Sequence, residues 1–311
     1  MSISTVATIF PVFFMLGLGM ASRKFKWISP ANREGINNFI FTVLFPIMIF
    51  NLMLTASIES QHLLIVAYVS AAYMLSMVVG KALTFYTGKE YAHLSPYLLP
   101  TNEGGSVALP LYLSIVGASS NTVIFDIAGS IACFVVMPII VQRQVSGSAD
   151  IKSLIRNMLT NSFILAVIFG LGLNALGFYN MLMSMPVGEV YTATISMATG
   201  PITGCILFGI GYDLQIDKNT LIPVLKMMSV KFVYSALIIA GFFLLFSGMM
   251  ADKEFLMAVL IYFMCPTGFG LLPILSPMYK NKNDAAYASA FTSLYMFITL
   301  TVYVLVVVMI A

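Results

Sequence analysis

The chain has 311 residues, of which 60% are hydrophobic and only 9% charged, and its mean hydropathy is +0.97. Soluble domains carry roughly 25% charged residues, so lipid rather than water is the expected solvent for this surface and no soluble domain is expected. The formal charge of +3 is too weak and too scattered for nucleic acid, and the three cysteines (Cys133, Cys205, Cys265) lie in apolar runs without a CxxC pair, which argues against disulfides and a metal centre.

Apolar runs bounded by charge and turn residues predict ten spans, at roughly 3–22, 31–54, 62–86, 94–117, 121–143, 157–178, 187–212, 221–248, 254–279 and 284–310. None alternates with period two, and a backbone in hydrocarbon must satisfy its own hydrogen bonds, so all are predicted as helices. No basic residue precedes Arg23, and Arg23-Lys24 closes a first run of about 20 residues, so that run reads as a span and not as a cleaved leader. Alternate connections hold Arg23, Lys24, Lys26 and Arg33; Lys81 and Lys89; Arg143, Lys152 and Arg156; Lys218 and Lys226; and Lys280 and Lys282. The opposite connections and termini hold only Lys253, while Lys231 lies within the eighth run. The excess of Lys and Arg marks the cytoplasmic side, so both termini are expected to be extracytoplasmic in a multi-pass protein of the cell membrane.

The two halves resemble each other. Gly17-Leu-Gly19 returns as Gly170-Leu-Gly172, Pro46-Ile47 as Pro201-Ile202, and Pro100-Thr101 as Pro266-Thr267. Five spans per half is an odd number, so the second copy enters from the other side, which predicts an inverted repeat of residues 1–146 and 157–311. The fourth run reads Leu99-Pro100-Thr101-Asn102-Glu103-Gly104-Gly105-Ser106 and reaches Pro110; the ninth reads Cys265-Pro266-Thr267-Gly268-Phe269-Gly270 and reaches Pro273. Proline and glycine break helices, and interruptions at matching positions of two inverted halves point to a site near the membrane midplane. Freed amides there suit an anion and freed carbonyls a cation. The plainer reading is a pair of packing kinks.

Several segments resemble the auxin efflux carrier family, which includes bacterial malonate and malate carriers and plant PIN-type carriers. Asn37-Asn38-Phe-Ile-Phe-Thr-Val-Leu-Phe-Pro46 with Phe50 resembles that family's second span, and Gly105-Ser106-Val107-Ala108-Leu109-Pro110-Leu111 its GNxGxPL segment. Cys265-Pro266-Thr267-Gly268 and Asp284-Ala-Ala-Tyr-Ala-Ser-Ala290 resemble its ninth and tenth spans. Ser106 stands where Asn is usual and Ala108 where Gly is usual, and Glu103 lies in an uncommon Asn-Glu-Gly-Gly run. The short 144–156 connection is similar to that of bacterial members. The resemblance implies an all-α protein of ten helices with crossing, broken helices four and nine. It also implies a scaffold of spans 1, 2, 6 and 7, a mobile domain of spans 3–5 and 8–10, a homodimer joined through the scaffold, and small organic anions as substrates.

Glu103 is the leading polar candidate. A carboxylate at mid-membrane costs roughly 2.5–3.5 kcal/mol, so it should face a cavity or a partner, either as a proton or cation coupling site or as a cap on the second half of the broken helix. Thr101, Asn102, Gly104, Gly105, Ser106, Pro266, Thr267 and Gly268 offer uncharged donors and open backbone for a carboxylate substrate, and Pro100, Pro110, Pro266 and Pro273 are the expected helix breakers. Lys81 and Lys231 are explained by snorkelling to the interface or by attracting an anion at the inner mouth. Asp126, about five residues inside the fifth run, is either functional or interfacial. His62 and His93 fall at span ends and the methionines form no convergent MxxM set, so neither a metal nor a cofactor is expected. A hydrolase would need a Ser/His, paired-Asp or zinc constellation that is not visible, and the chain ends at the tenth run without the tail expected of a receptor or sensor. The expectation is a secondary carrier of small carboxylates, not an enzyme, with proton or sodium as the possible partner ion. A sodium-coupled symporter resembling bile-acid carriers, or a membrane receptor or sensor, is the alternative.

Overall fold

A computed structural model describes residues 3–56, 60–117, 119–146, 152, 156, 159–160, 162–213, 221–268 and 270–310. Most of the 144–156 connection, and Lys218, therefore lie outside the described residues. The described residues form helices and connections, with no strand among them. In chain order the helices are α1 (Ile3–Lys24), α2 (Pro30–Phe39), α3 (Phe45–Thr55), α4 (Ser60–Ala82), α5 (Thr84–Thr87), α6 (Ser95–Leu98), α7 (Leu109–Val116), α8 (Asn121–Ile131) and α9 (Met137–Ser146). The second half holds α10 (Ser162–Ala175), α11 (Phe178–Met183), α12 (Val187–Thr199), α13 (Ile202–Asp213), α14 (Leu221–Leu245), α15 (Ser247–Met250), α16 (Lys253–Phe263), α17 (Leu271–Leu275) and α18 (Lys282–Ile310). Among the described residues six stretches are long and apolar enough to cross a membrane: Val6–Lys24, Pro30–Thr55, Gln61–Ala82, Val187–Asp213, Leu221–Leu245 and Lys282–Met309. Shorter apolar helices cover Gly104–Val116, Asn121–Ile131 and Ser162–Ala175.

Proline shapes these stretches locally. Pro46 opens α3 just after a π-helical turn at Ile40–Leu44, and Pro201 separates α12 from α13. Because proline offers no N–H, the ladder must loosen for a turn before it resumes, and a π turn is one way to do so.

Two pairs of helices pack at backbone distance. α1 runs along α13, where a Cβ on Gly19 would overlap the carbonyl of Phe208 and one on Gly211 would overlap that of Leu16. α10 runs along α3, with Gly170 set against Met53 and Phe50. Without a hydrophobic force between helices in lipid, small residues that admit close van der Waals packing hold such pairs together. Asn174 adds a polar tie: its Nδ2 donates to the carbonyls of Met53 (2.9 Å), Leu54 (2.8 Å) and Ala56 (2.8 Å) at the end of α3. A second group of helices gathers around α8 and α18. α4 packs on α8, α14 and α16 pack on α18, and Phe125, Phe242, Phe255, Tyr262 and Phe263 form one aromatic cluster between them.

Candidate functional site

The fourth and ninth runs are both interrupted. Helix stops at Leu98 and resumes as a π-helical turn at Gly104–Ala108 that runs into α7; in the second half α16 stops at Phe263 and α17 begins at Leu271. Pro110 and Pro273 are not where the helices break, contrary to expectation. Pro110 follows the π-helical turn in a helix continuous from Gly104, so that turn absorbs its missing N–H as it does before Pro46, and Pro273 is the third residue of α17.

The interruptions lie against each other and satisfy each other's backbone. The Glu103 amide donates to Pro266 O (2.8 Å), Asn102 Nδ2 donates to Tyr262 O (2.9 Å), and the Thr267 hydroxyl donates to Leu98 O. Thr299 Oγ1 on α18 donates to Met264 O at 2.7 Å. Irregular backbone at membrane depth persists only when buried in protein or lining a cavity, and here it does both. Thr101 has φ 72°, a left-handed conformation that a β-branched residue rarely adopts. It is pinned on both sides: its Oγ1 accepts from the Gly268 amide at 3.4 Å, and its carbonyl accepts from Lys231 at 3.0 Å.

A cavity of about 880 Å³ opens beside this crossing. One wall comes from α2, α3, α10 and α13, through Asn37, Phe45, Phe163 and Ile210; the other comes from the first interruption, α8 and α18. Of the predicted site residues, Thr101, Asn102, Glu103, Gly104, Gly105, Ser106 and Gly268 line it. Pro266 and Thr267 do not: Thr267 is fully buried with its hydroxyl engaged by Leu98 O, and the Pro266 carbonyl is held by Glu103.

Glu103 caps the π-helical turn. Its Oε1 accepts from the Ser106 amide (3.1 Å) and from the Ser106 hydroxyl (2.6 Å), which satisfies an N-terminal donor with a carboxylate placed well for the helix dipole. Asp126 of α8 lines the same cavity and accepts from the Tyr262 hydroxyl at 3.1 Å. Gly104 permits the approach of the two elements, since a Cβ there would overlap the Asp126 carboxylate. The sequence shows no acidic pair within a span; the pair arises between helices.

The lysines part company. Lys81 is exposed in the last turn of α4 and fits snorkelling. Lys231 does not snorkel: it is 2% exposed and does not line the cavity, because its ammonium donates to Leu99 O (3.3 Å), Thr101 O (3.0 Å) and Asn102 Oδ1 (2.8 Å). Two further ties escape the sequence. Arg33, which reads as a connection charge, has an 11% exposed side chain bonded to Asp213 at 2.8 Å, and both residues line the cavity's outer end. His93, which reads as a solvated span end, contacts Asp284 at 3.0 Å. Among the described residues no group of three His, Cys, Asp or Glu converges as a metal site.

Residues 4–151 match the family model described as "Membrane transport protein". The match covers α1 through α9 and so includes the first interruption with Glu103 and Asp126. The six long apolar helices found among the described residues indicate an integral membrane protein, and residues 4–151 are similar to a membrane transport family. No curated protein matches the chain.

Proposed function

We propose that the protein is a secondary carrier of small organic anions, carboxylates above all, and that it works by alternating access. The observation that carries this reading is the cavity between two groups of helices, which ends on two facing interruptions whose glycines line it. An anion can be held there without a full counter-charge by the Thr101 hydroxyl and by the Ser106 amide and hydroxyl, which a proton on Glu103 would release. The cavity reaches Arg33 and Asp213, whose side chain is 60% exposed, so this conformation is open toward the end rich in Lys and Arg. By the distribution of those residues that end is cytoplasmic and both termini are extracytoplasmic.

Ten spans in two inverted repeats, 1–146 and 157–311, suit this mechanism. Supporting it is the exchange of partners between halves: α1 of the first half packs on α13 of the second, and α10 of the second packs on α3 of the first. Those four helices, with α2 and α12, would form the scaffold, which the auxin-efflux-carrier resemblance also assigns to dimer contacts. The helices around α8 and α18 would form the moving part.

Two carboxylates in a cavity that admits an anion favour proton coupling. Glu103 and Asp126, both ionised, would repel the substrate; a proton entering with it neutralises one of them and lowers that repulsion. The test is saturable uptake of labelled mono- and dicarboxylates into proteoliposomes, with and without an imposed pH gradient. Uptake of none of them above empty liposomes would overturn the proposal.

A further inference from the structure

Lys231 is a buried cation that the anion-binding reading does not use. Its Nζ has three hydrogens and three oxygen partners, and every partner is neutral: two main-chain carbonyls released by the first interruption and one amide oxygen. The amide cannot turn away, because Asn102 Nδ2 is committed to Tyr262 O. The ring of Tyr295 lies 5.8 Å from the ammonium and adds a fourth, electron-rich face. No carboxylate is among these partners, so this is not a salt bridge. Unwound carbonyls and a side-chain oxygen around one positive charge are what carriers and channels use to hold a dehydrated alkali cation.

We propose that the Lys231 ammonium is a tethered cation, occupying a seat that is chemically an alkali-ion site. The first interruption then carries its own built-in counter-charge, held by a side chain on α14, and needs no diffusible sodium to bind there. Two consequences follow. The wild-type protein should be indifferent to sodium, and removing the side chain without refilling its volume should create a vacancy that a small cation can enter. The seat's existence does not require the substrate to be an anion; only the transport measurement below rests on the carrier reading.

The experiment compares full-length wild type, Lys231→Ala and Lys231→Met, purified in choline chloride and then melted in choline, sodium or methylammonium chloride at equal ionic strength. Lys231→Ala should gain roughly 3–6 °C in apparent Tm with sodium or methylammonium over choline. Wild type, which holds its own ammonium, and Lys231→Met, whose neutral chain fills the space, should shift by less than about 1 °C. Three results would each overturn the proposal: a folded Lys231→Ala with no cation response, a Lys231→Ala that fails to fold even in saturating sodium or methylammonium, and a wild type as sodium-sensitive as the Ala variant. In proteoliposomes, wild-type uptake should persist when sodium is replaced by choline. Uptake that requires sodium would overturn this inference and leave the carrier intact, whereas absence of uptake in every salt would overturn the carrier and leave the melting experiment to judge the seat.

Discussion

The two interruptions differ more than their matching sequences suggest. Around the second, the freed carbonyls are met by neutral donors: Tyr262 O by the Asn102 amide, Met264 O by Thr299 and Pro266 O by the Glu103 N–H. Around the first stand Lys231 on the carbonyls, Glu103 on the following turn, and Asp126 across from Gly104. Because the second break is satisfied without a charge, charge is not what a broken helix requires. Its concentration at the first break calls for another explanation, and anion entry with a proton, beside a fixed cation, supplies one.

The strongest way to break that comparison is to remove the proposed coupling charge. Glu103→Gln keeps size and most hydrogen bonding but cannot ionise, so uptake driven by a pH gradient should be lost while substrate binding and exchange persist. Wild-type gradient dependence, normalised to folded protein, would return Glu103 to a purely capping role. Lys231→Met comes next. It leaves three buried acceptors short of a donor while removing a buried charge, and should destabilise by about 2–4 kcal/mol in reversible unfolding. A change below about 0.5 kcal/mol would show that the first break does not depend on the ammonium.

On the neutral side, Thr267→Val removes only the donor to Leu98 O. We expect a loss of about 1–2 kcal/mol with pH-gradient dependence unchanged, since no charge is altered. An altered gradient response would show that the second break shares the coupling. Lys81→Gln should be the mildest, within about 0.5 kcal/mol and without effect on uptake, because the exposed ammonium has no role in the cavity. A clear drop in uptake would restore Lys81 as an anion-attracting residue.

How much of this could be read from sequence follows the range of each signal. Breaks near Pro100–Gly105 and Pro266–Gly270 were legible because proline and glycine act on their own turn, and that local effect also placed the cavity-lining residues of the first interruption. Pro110 and Pro273 misled for the same reason: proline inside a motif looks like a breaker, yet the π turn before Pro110 absorbs its missing N–H and the first turn of α17 accepts Pro273. That Glu103 and Asp126 share a cavity was not legible, because they come to one wall only when α8 folds onto the first break. Lys231 was misread because a lysine five residues inside a span has two outlets, the interface and a nest of freed carbonyls. The second exists only once the fourth run has been unwound and brought beside α14. Arg33 and His93 were hidden likewise, their acidic partners lying 180 and 191 residues away.

The backbone contact at Gly19 and Gly211 reaches beyond packing. Helices that touch carbonyl to glycine can neither slide nor rotate far without collision, so α1 and α13 form a stiff keel. If alternating access operates, the displacement must be borne by helices such as α4 and α14, whose outer faces present Leu63, Leu64, Leu75, Leu237 and Leu244. Their apolar band would then have to rise and fall against the hydrocarbon slab, so turnover should vary with acyl-chain length and pass through an optimum thickness. The bilayer, on this view, acts as a spring in the transport cycle.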